Sequence, residues 1–127
     1  MSETLTLTIP ADEWFTSNDR LHWAAKAKKT RALRARAEIA ALYANLGPYD
    51  VAHVTAFIGY PTSVVADPSN VVGTVLKALI DGCKDAGVFV DDDSRHVIGP
   101  DPRRETGRSP KGTHTVRLVF VEQAVDL

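Results

Sequence analysis

The chain has 127 residues, a formal net charge of −1 and a hydrophobic content of 44%, which allows one globular domain, residues 1–127, with a core of its own. No stretch is long enough to span a bilayer, residues 1–10 lack the apolar run of a signal peptide, and the single Cys83 excludes an internal disulfide. We therefore expect a cytoplasmic protein with no membrane partner.

The first half of the chain predicts a strand followed by a long helix. Residues 4–9 alternate between threonine and apolar side chains, as in a strand, and Pro10 ends the pattern. The helix is expected from about Leu21 to Leu46, before a Gly-Pro pair that stops it. Its candidate N-caps are Ser17, Asn18 and Asp19. Its expected core face consists of Ala32, Ala35, Ile39, Leu42 and Leu46.

The second half predicts a central helix between short strands. This helix begins after Asp67, an N-cap followed by a proline, and ends at Gly87. The order β-α-β-α-β-β-β predicts an α+β domain in which a small mixed sheet packs against two main helices. Strands are expected over residues 51–60, 88–90, 95–98 and 115–121, and residues 99–113, rich in proline and glycine, predict a mobile loop.

The small net charge hides a segregation of basic and acidic residues. Between Arg20 and Arg36 there are seven Lys or Arg and no acid, whereas Asp81 to Asp101 contains six Asp and two basic residues. A metal-dependent enzyme that acts on a polyanion needs one basic surface and one acidic locus. Charge alone favours the simpler interpretation of two solvated faces.

The central helix carries its polar residues in one stripe. Asn70, Thr74, Lys77 and Asp81 follow the spacing i, i+4, i+7 and i+11, and apolar residues fill most of the remaining circumference. The helix is therefore expected to be largely buried, with the stripe facing a site. Lys77 has two interpretations that the sequence leaves open: an ion pair with Asp81 at i+4, or a charge that stabilises a phosphate.

Carboxylates stand at both ends of this helix. Asp67 precedes it, and Asp91, Asp92 and Asp93 follow the short strand after it, so a strand packed back on the helix would bring both ends into one pocket. Clustered oxygen ligands suit Mg²⁺ or Mn²⁺. On spacing alone, a solvated acidic turn and a plain helix cap are favoured over a metal site. No metal-ligand spacing is seen for His22, His53, His96 and His114, and Cys83 is expected in the core.

Read as a whole, the central stretch resembles the RusA family of Holliday junction resolvases, particularly phage and prophage versions. Residues 67–70 (DPSN) match the first and last positions of the family's D-x-D-N motif, and Lys77 matches its helix lysine. Residues 86–92 (AGVFVDD) match the closing segment, which favours Asp92 as a ligand, and residues 18–23 resemble the N-terminal segment. One departure is that Ser69 stands where the family has its second aspartate.

The resemblance implies a RusA-like, dimeric nuclease fold and an endonuclease that cuts four-way DNA junctions with Mg²⁺, or Mn²⁺, in a bacterial cell or a phage-infected host. The implied catalytic residues are Asp67, Lys77 and Asp92. The implied metal ligands are Asp67, Asp91, Asp92 and Asp93, with Ser69, Asn70 and Asp81 around them. The implied DNA contacts are Arg20, Lys26, Lys28, Lys29, Arg103, Arg104, Arg108 and Lys111.

Ser69 leaves several outcomes open, because a hydroxyl is a poor substitute for a charged Mg²⁺ ligand. Asp93 or Asp81 supplies the missing carboxylate, or only one metal binds tightly, or activity is reduced or lost. Two alternatives to the nuclease follow: a junction-binding protein of the same fold with weakened catalysis, and a basic-helix interaction module whose acids are only structural.

Overall fold

The computed structural model describes residues 2–64, 66–91, 93 and 95–124. Two α-helices, four strands and three short helical turns make up this part of the chain. In chain order the strands are β1 (Ser2–Pro10), β2 (Ala52–Gly59), β3 (Val97–Arg104) and β4 (Thr113–Glu122). The α-helices are α1 (Trp23–Ala44) and α2 (Lys77–Asp85); a 3-10 turn at Pro68–Val71 and a π turn at Val72–Leu76 lead directly into α2, and a further 3-10 turn covers Ala11–Glu13.

The strands form one mixed sheet in the order β1-β4-β2-β3, which confirms the α+β class. β4 pairs antiparallel with both β1 and β2, whereas β2 and β3 run parallel. Alternate residues are buried along β1, β2 and β4, so the core lies on one face of the sheet. Both helices supply side chains to the same core cluster, which gives a two-layer domain.

The two helices approach closely, and this decides which face of α1 is buried. A Cβ added at Gly82 of α2 would meet the backbone oxygen of Arg34 and lie 2.8 Å from Cβ of Ala37. The small side chains of Ala37 and Ala41 permit this approach, and they are buried together with Leu33. The predicted core face of α1 is therefore wrong.

Several large apolar side chains of α1 are left in solvent as a result. Ile39 is 68% exposed and Leu42 is 59% exposed, although both were assigned to the core face, and Tyr43 is 94% exposed. Ala35 is exposed as well, and Leu46 is buried but lies beyond the end of the helix.

The start of α1 also differs from the prediction. His22 is the N-cap, since its Nδ1 accepts a hydrogen bond from the Ala24 N–H at 3.2 Å. Asp19 instead closes the preceding turn, where its carboxylate accepts from the N–H of Thr16 at 2.8 Å. The helix ends at Ala44, and its C-cap Asn45 adopts the left-handed conformation typical of a helix C-terminus.

Two predictions for the region after α2 are wrong. Residues 88–90 form no strand, and only an isolated bridge joins Phe89 to Tyr49. Residues 99–104, predicted to be mobile, belong to β3, although this strand contains Pro100 and Pro102. An edge strand tolerates proline because one side of it needs no ladder hydrogen bonds, and β3 lies at an edge of the sheet.

Candidate metal and DNA-binding site

Asp67 caps the turn that begins the central helix, as predicted. Its Oδ1 accepts hydrogen bonds from the Ser69 hydroxyl at 2.7 Å and the Ser69 N–H at 3.0 Å. These bonds lower the pKa of Asp67, whose carboxylate is exposed to solvent. Ser69, at the position of the family's second aspartate, therefore supports the first carboxylate as a donor.

The position of Asp67 is set by the end of β2. Burial raises the pKa of Tyr60, which follows β2 directly, and the charge of Asp67 raises it further. This effect is consistent with the position of Asp67 in the chain, seven residues after Tyr60. Three residues later, the half-buried Asn70 accepts a hydrogen bond at its backbone oxygen from the N–H of Ser17 at 2.8 Å.

The polar stripe of the central helix forms a hydrogen bond to the segment before α1 and an ion pair within the helix. The Thr74 hydroxyl donates to the backbone oxygen of Phe15 at 2.9 Å. Lys77 Nζ donates to Oδ2 of Asp81 at 3.1 Å, and Lys84 Nζ lies 3.9 Å from the other carboxylate oxygen. The ion-pair interpretation of Lys77 is confirmed. Its side chain is still 69% exposed, so the ammonium is accessible to a ligand as well.

Lys77 stands on a ridge between two clefts. The cleft on the sheet side has a volume of about 350 Å³ and is bounded by the first residues of β3, with Val97 and Pro100 among them. The other, of about 220 Å³, lies between the central helix and α1, where Lys26 and Thr30 line it. A polyanion in the second cleft would therefore meet the ammonium groups of both Lys26 and Lys77.

The acidic turn between α2 and β3 gathers three metal-ligating side chains. Ligand atoms of Asp91, Asp93 and His96 all lie within 4.8 Å of one another. The guanidinium of Arg95 donates to Asp93 at 2.7 Å, and this bond, followed by the Arg95 N–H, lowers the pKa of that carboxyl. Asp92, the predicted catalytic ligand, lies outside the described residues.

His96 is a member of this group that the sequence prediction missed. Its Nδ1 lies 2.6 Å from the backbone oxygen of Asp50. A carbonyl only accepts, so Nδ1 carries the proton, and in neutral His96 the lone pair is on Nε2, 3.7 Å from Asp93 Oδ1. The only signal in the sequence was that His96 lies three residues after Asp93. This spacing alone belongs to no standard metal-ligand motif.

The described residues bring the acidic turn together with His96 and do not include Asp67 in that group. The reason is topological. The bridge from Phe89 to Tyr49 and the pairing of Ala52 with Val97 hold the turn at the beginnings of β2 and β3, whereas Asp67 follows the end of β2.

The predicted DNA contacts in and before α1 differ in their exposure and in whether they already bind other groups of the protein. Lys29 donates to the backbone oxygen of Asp12 and is only half exposed, so it anchors the 3-10 turn before α1. Arg34 and Arg36, further along the helix, form bidentate pairs with Asp85 and Glu13. The exposed predicted contacts in this segment are Arg20, Lys26 and Lys28.

The predicted contacts at the end of β3 and in the loop after it do not all point the same way. Arg103 is paired with Phe57 and Arg104 with Ile58, and side chains alternate along a strand, so the two arginines leave opposite faces of the sheet. Arg104, which stacks on Tyr60, shares the core face, whereas Arg103 lies on the open face. Arg108 and Lys111 are exposed in the loop that follows.

Cys83 is fully buried in the core, as predicted. Burial raises the pKa of its thiol to about 12, so it carries no nucleophilic thiolate near neutral pH.

Comparison with protein-family models gave no match, and no curated protein is significantly similar to the chain in sequence. No helix in the described ranges is both long and apolar enough to cross a membrane.

Proposed function

We propose that this protein is a magnesium-dependent, structure-selective endodeoxyribonuclease that resolves four-way DNA junctions in recombination and repair. The observation that carries the proposal is the convergence of Asp91, Asp93 and His96 within 4.8 Å. Of these residues, Asp91 belongs to the segment 86–92 that resembles the closing segment of the RusA family, and Asp93 and His96 follow it in the chain. Asp67 and Asn70 match the family's D-x-D-N motif, and Lys77 matches its helix lysine.

The ligand chemistry of the acidic turn fits a hard divalent cation. The neighbouring carboxylates of Asp91 and Asp93 repel each other unless a positive charge lies close, and Arg95 supplies part of that charge. Asp91, Asp93 and the Nε2 lone pair of His96 would hold Mg²⁺ or Mn²⁺, together with Asp92 as the resemblance implies. When bound, such an ion lowers the pKa of a coordinated water and neutralises charge on the phosphate.

Lys77 supports the same reaction from the central helix. Asp81 holds its ammonium in place through a 3.1 Å hydrogen bond, while most of the side chain remains exposed at the ridge between the two clefts. A positioned ammonium of this kind stabilises a scissile phosphate as its negative charge increases. Lys26, Lys28 and Arg20 would bind the flanking phosphates, which makes binding salt-sensitive.

Two symmetric cuts on one junction require two active sites, so the proposal includes a two-fold homodimer. The surface that supports it is the α1–β1 groove, about 890 Å³ in volume, whose walls include Leu5, Ile39 and Tyr43. Within the sheet, β1 is an edge strand that pairs only with β4. An edge strand can pair antiparallel with its own copy about a two-fold axis, and the exposed apolar side chains of α1 would then be covered.

A catalytically weakened junction-binding protein is the second candidate, and one observation favours it. Ser69 donates both its N–H and its hydroxyl to Asp67, so this carboxylate serves as a helix cap and lacks the second aspartate beside it. In that case the fold and the basic surface would still bind junctions without cutting them.

Cleavage of a synthetic four-way junction in Mg²⁺ tests the proposal. We expect symmetric nicks from the wild-type protein, and loss of cutting with retained binding from Asp92→Asn and Asp93→Asn. Asp12→Asn, a change of the same type at an exposed site outside the acidic turn, is the matched control. Binding without cutting by the wild type would select the second candidate, and equal cutting by all variants would exclude the acidic turn as the metal centre.

A further inference from the structure

A polar cleft of about 210 Å³ lies at the far end of β3 from the acidic turn. One wall is the end of β3 and the loop that follows it, and the other is the loop after β2. The residues that supply its polar groups are Thr62, Ser63, Arg104, Thr106 and Arg108, with Tyr60 at the base.

The guanidinium of Arg104 has a fixed place in this cleft. It lies 4.7 Å from the centroid of the Tyr60 ring, in a cation–π contact. Tyr60 is only 7% exposed, and its ring meets the edge of His114, which in turn stacks on Trp14 at 4.0 Å. Stacking through the face of the guanidinium leaves its N–H groups available to a ligand.

The acid that lines the cleft is neutralised by an ion pair. Its own acid, Glu105, forms a bidentate pair with Arg117 at 2.7 and 3.1 Å, which lowers the pKa of Glu105. Asp67 is not among the residues that line the cleft, and it keeps its negative charge, since the hydrogen bonds from Ser69 stabilise the carboxylate. Within the described residues, Arg104 and Arg108 have no carboxylate partner.

The loop that carries Arg108 is held to the sheet. The N–H of Glu105 donates to the Ile58 oxygen at 2.9 Å, and that of Ser109 donates to the Tyr60 oxygen at 3.1 Å. The hydroxyl of the buried Ser109 also donates to the Thr113 oxygen at 2.6 Å. Both ends of the cleft wall are therefore fixed by backbone contacts, which reduces the ordering cost of binding an anion.

We propose that this cleft is a phosphate-binding subsite in which Arg104 and Arg108 bind one backbone phosphate of a nucleic acid, with the hydroxyls of Thr62 and Ser63 as further donors. Planar guanidinium groups match phosphate geometry, and hydroxyls complete the acceptor's hydrogen bonds. The inference deepens the proposed function and rests on it for the identity of the nucleic acid as junction DNA.

The fold also fixes the distance between this subsite and the acidic turn. The eight residues of β3 separate the acidic turn from the cleft by roughly 25 Å. On a duplex arm that runs parallel to β3, this distance corresponds to roughly seven base pairs from the scissile phosphate. The subsite would thus read arm position, and the acidic turn would perform the cut.

Titration of the ¹⁵N-labelled protein with inorganic phosphate, without divalent cations, tests the subsite directly. We expect saturable shifts of the amides of Thr62, Ser63 and Arg108 in the wild type, and their loss in Arg104→Gln. Lys84→Gln removes a positive charge beside the first residues of β3, at the other end of the strand, and should behave as the wild type. Absence of these shifts in the wild type, or their persistence in Arg104→Gln, would overturn the proposal.

Junction affinity measured across salt concentrations supplies the second readout. Arg104→Gln and Arg108→Gln should each reduce the slope of log K against log salt by about one, and Lys84→Gln, at a position outside the proposed DNA contacts, should not. This result is independent of cutting. If the wild type never nicks DNA but shows the phosphate shifts, the nuclease proposal is wrong and the subsite proposal stands. If it nicks DNA normally without the shifts, only the subsite proposal is wrong.

Discussion

Ser69 donates two hydrogen bonds to a single carboxylate oxygen of Asp67, one from its hydroxyl at 2.7 Å and one from its N–H at 3.0 Å. The pair is exposed at the start of the central helix, and the bonds lower the pKa of Asp67. Ser69, which replaces the second aspartate of the D-x-D-N pattern, is therefore a hydrogen-bond donor to Asp67, which matches the first.

Ser69→Asp should convert this pair into two adjacent carboxylates. Their repulsion raises the pKa of Asp67 and is relieved by a cation, so we expect Ser69→Asp to create a separate Mn²⁺ site at Asp67, in addition to the one at the acidic turn. Isothermal titration calorimetry measures the added binding. Thr4→Asp, an added acid at an exposed position of β1, is the control and should leave the affinity unchanged. The same Mn²⁺ binding in Ser69→Asp and the wild type would contradict a metal site at Asp67.

Lys77→Ala should slow junction cutting by roughly 10²-fold, because a preorganised charge at the reacting phosphate acts mainly in the transition state. Junction affinity should stay nearly intact, since one ammonium is a small part of the basic surface. Single-turnover cutting and binding without metal separate the two effects. Lys84→Ala is the matched control, as Lys84 also approaches Asp81, at 3.9 Å, but is less exposed. A collapse of affinity in Lys77→Ala would make Lys77 a binding residue.

Much of the fold follows from local patterns, but the helix interface does not. The alternation in β1 and the cap at Asp67 are signals within a few residues, and both predictions are confirmed. The core face of α1 depends on Gly82, 45 residues after Ala37, and no local periodicity reveals that a glycine and an alanine will meet. The face containing Ile39 and Leu42 looked right by hydrophobicity and is exposed.

The candidate site shows the same limit. Asp91 and Asp93 could be identified as candidate ligands because they belong to a run of three aspartates. His96 joins them only because the turn before β3 folds back on Asp50. Likewise, the proline-rich segment after residue 98 resembled a loop. It can form a strand because β3 lies at the edge of the sheet and pairs with β2 on one side only.

Gly82→Ala should lower the free energy of unfolding by about 1–3 kcal/mol, because the added methyl would overlap the Arg34 backbone and α1 would have to move. Denaturant unfolding measures the change. Gly73→Ala is the matched control: it lies in the π turn of the same helix, where an added Cβ meets nothing within 4 Å. It should be neutral or stabilising by up to about 1 kcal/mol. Equal effects of the two variants would contradict the close approach of α1 and α2.

His114 should make folding stability fall as the pH falls. Burial lowers its pKa, and its buried Nδ1 has no hydrogen-bond partner within the described structure. Because the pKa of His114 is lower in the folded than in the unfolded protein, protonation below the unfolded pKa, near 6.5, favours the unfolded state. We therefore expect the free energy of unfolding to decline from about pH 7 to pH 5. Unfolding across this range measures it.

His114→Phe is the informative variant, because phenylalanine retains a ring to stack on Trp14 and removes the unpaired nitrogen. Its stability should change less between these pH values than that of the wild type, and at pH 5 it should be the more stable protein. The same pH dependence in both proteins would assign the decline to other groups.

Tyr43→Lys and Ile39→Lys should convert a dimer into a monomer. Both side chains are more than half exposed on α1 beside the β1 edge, and a charge there would have to be buried between the two copies. Sedimentation velocity over a range of protein concentrations measures the change, with Lys28→Glu, on the exposed basic segment of the same helix, as the control. Because the substituted positions are exposed in a single chain, the unfolding midpoint of each monomer should stay close to that of the wild type at low concentration. A wild type that sediments as a monomer throughout would remove the α1–β1 groove as the interface and, with it, the symmetric pair of cuts.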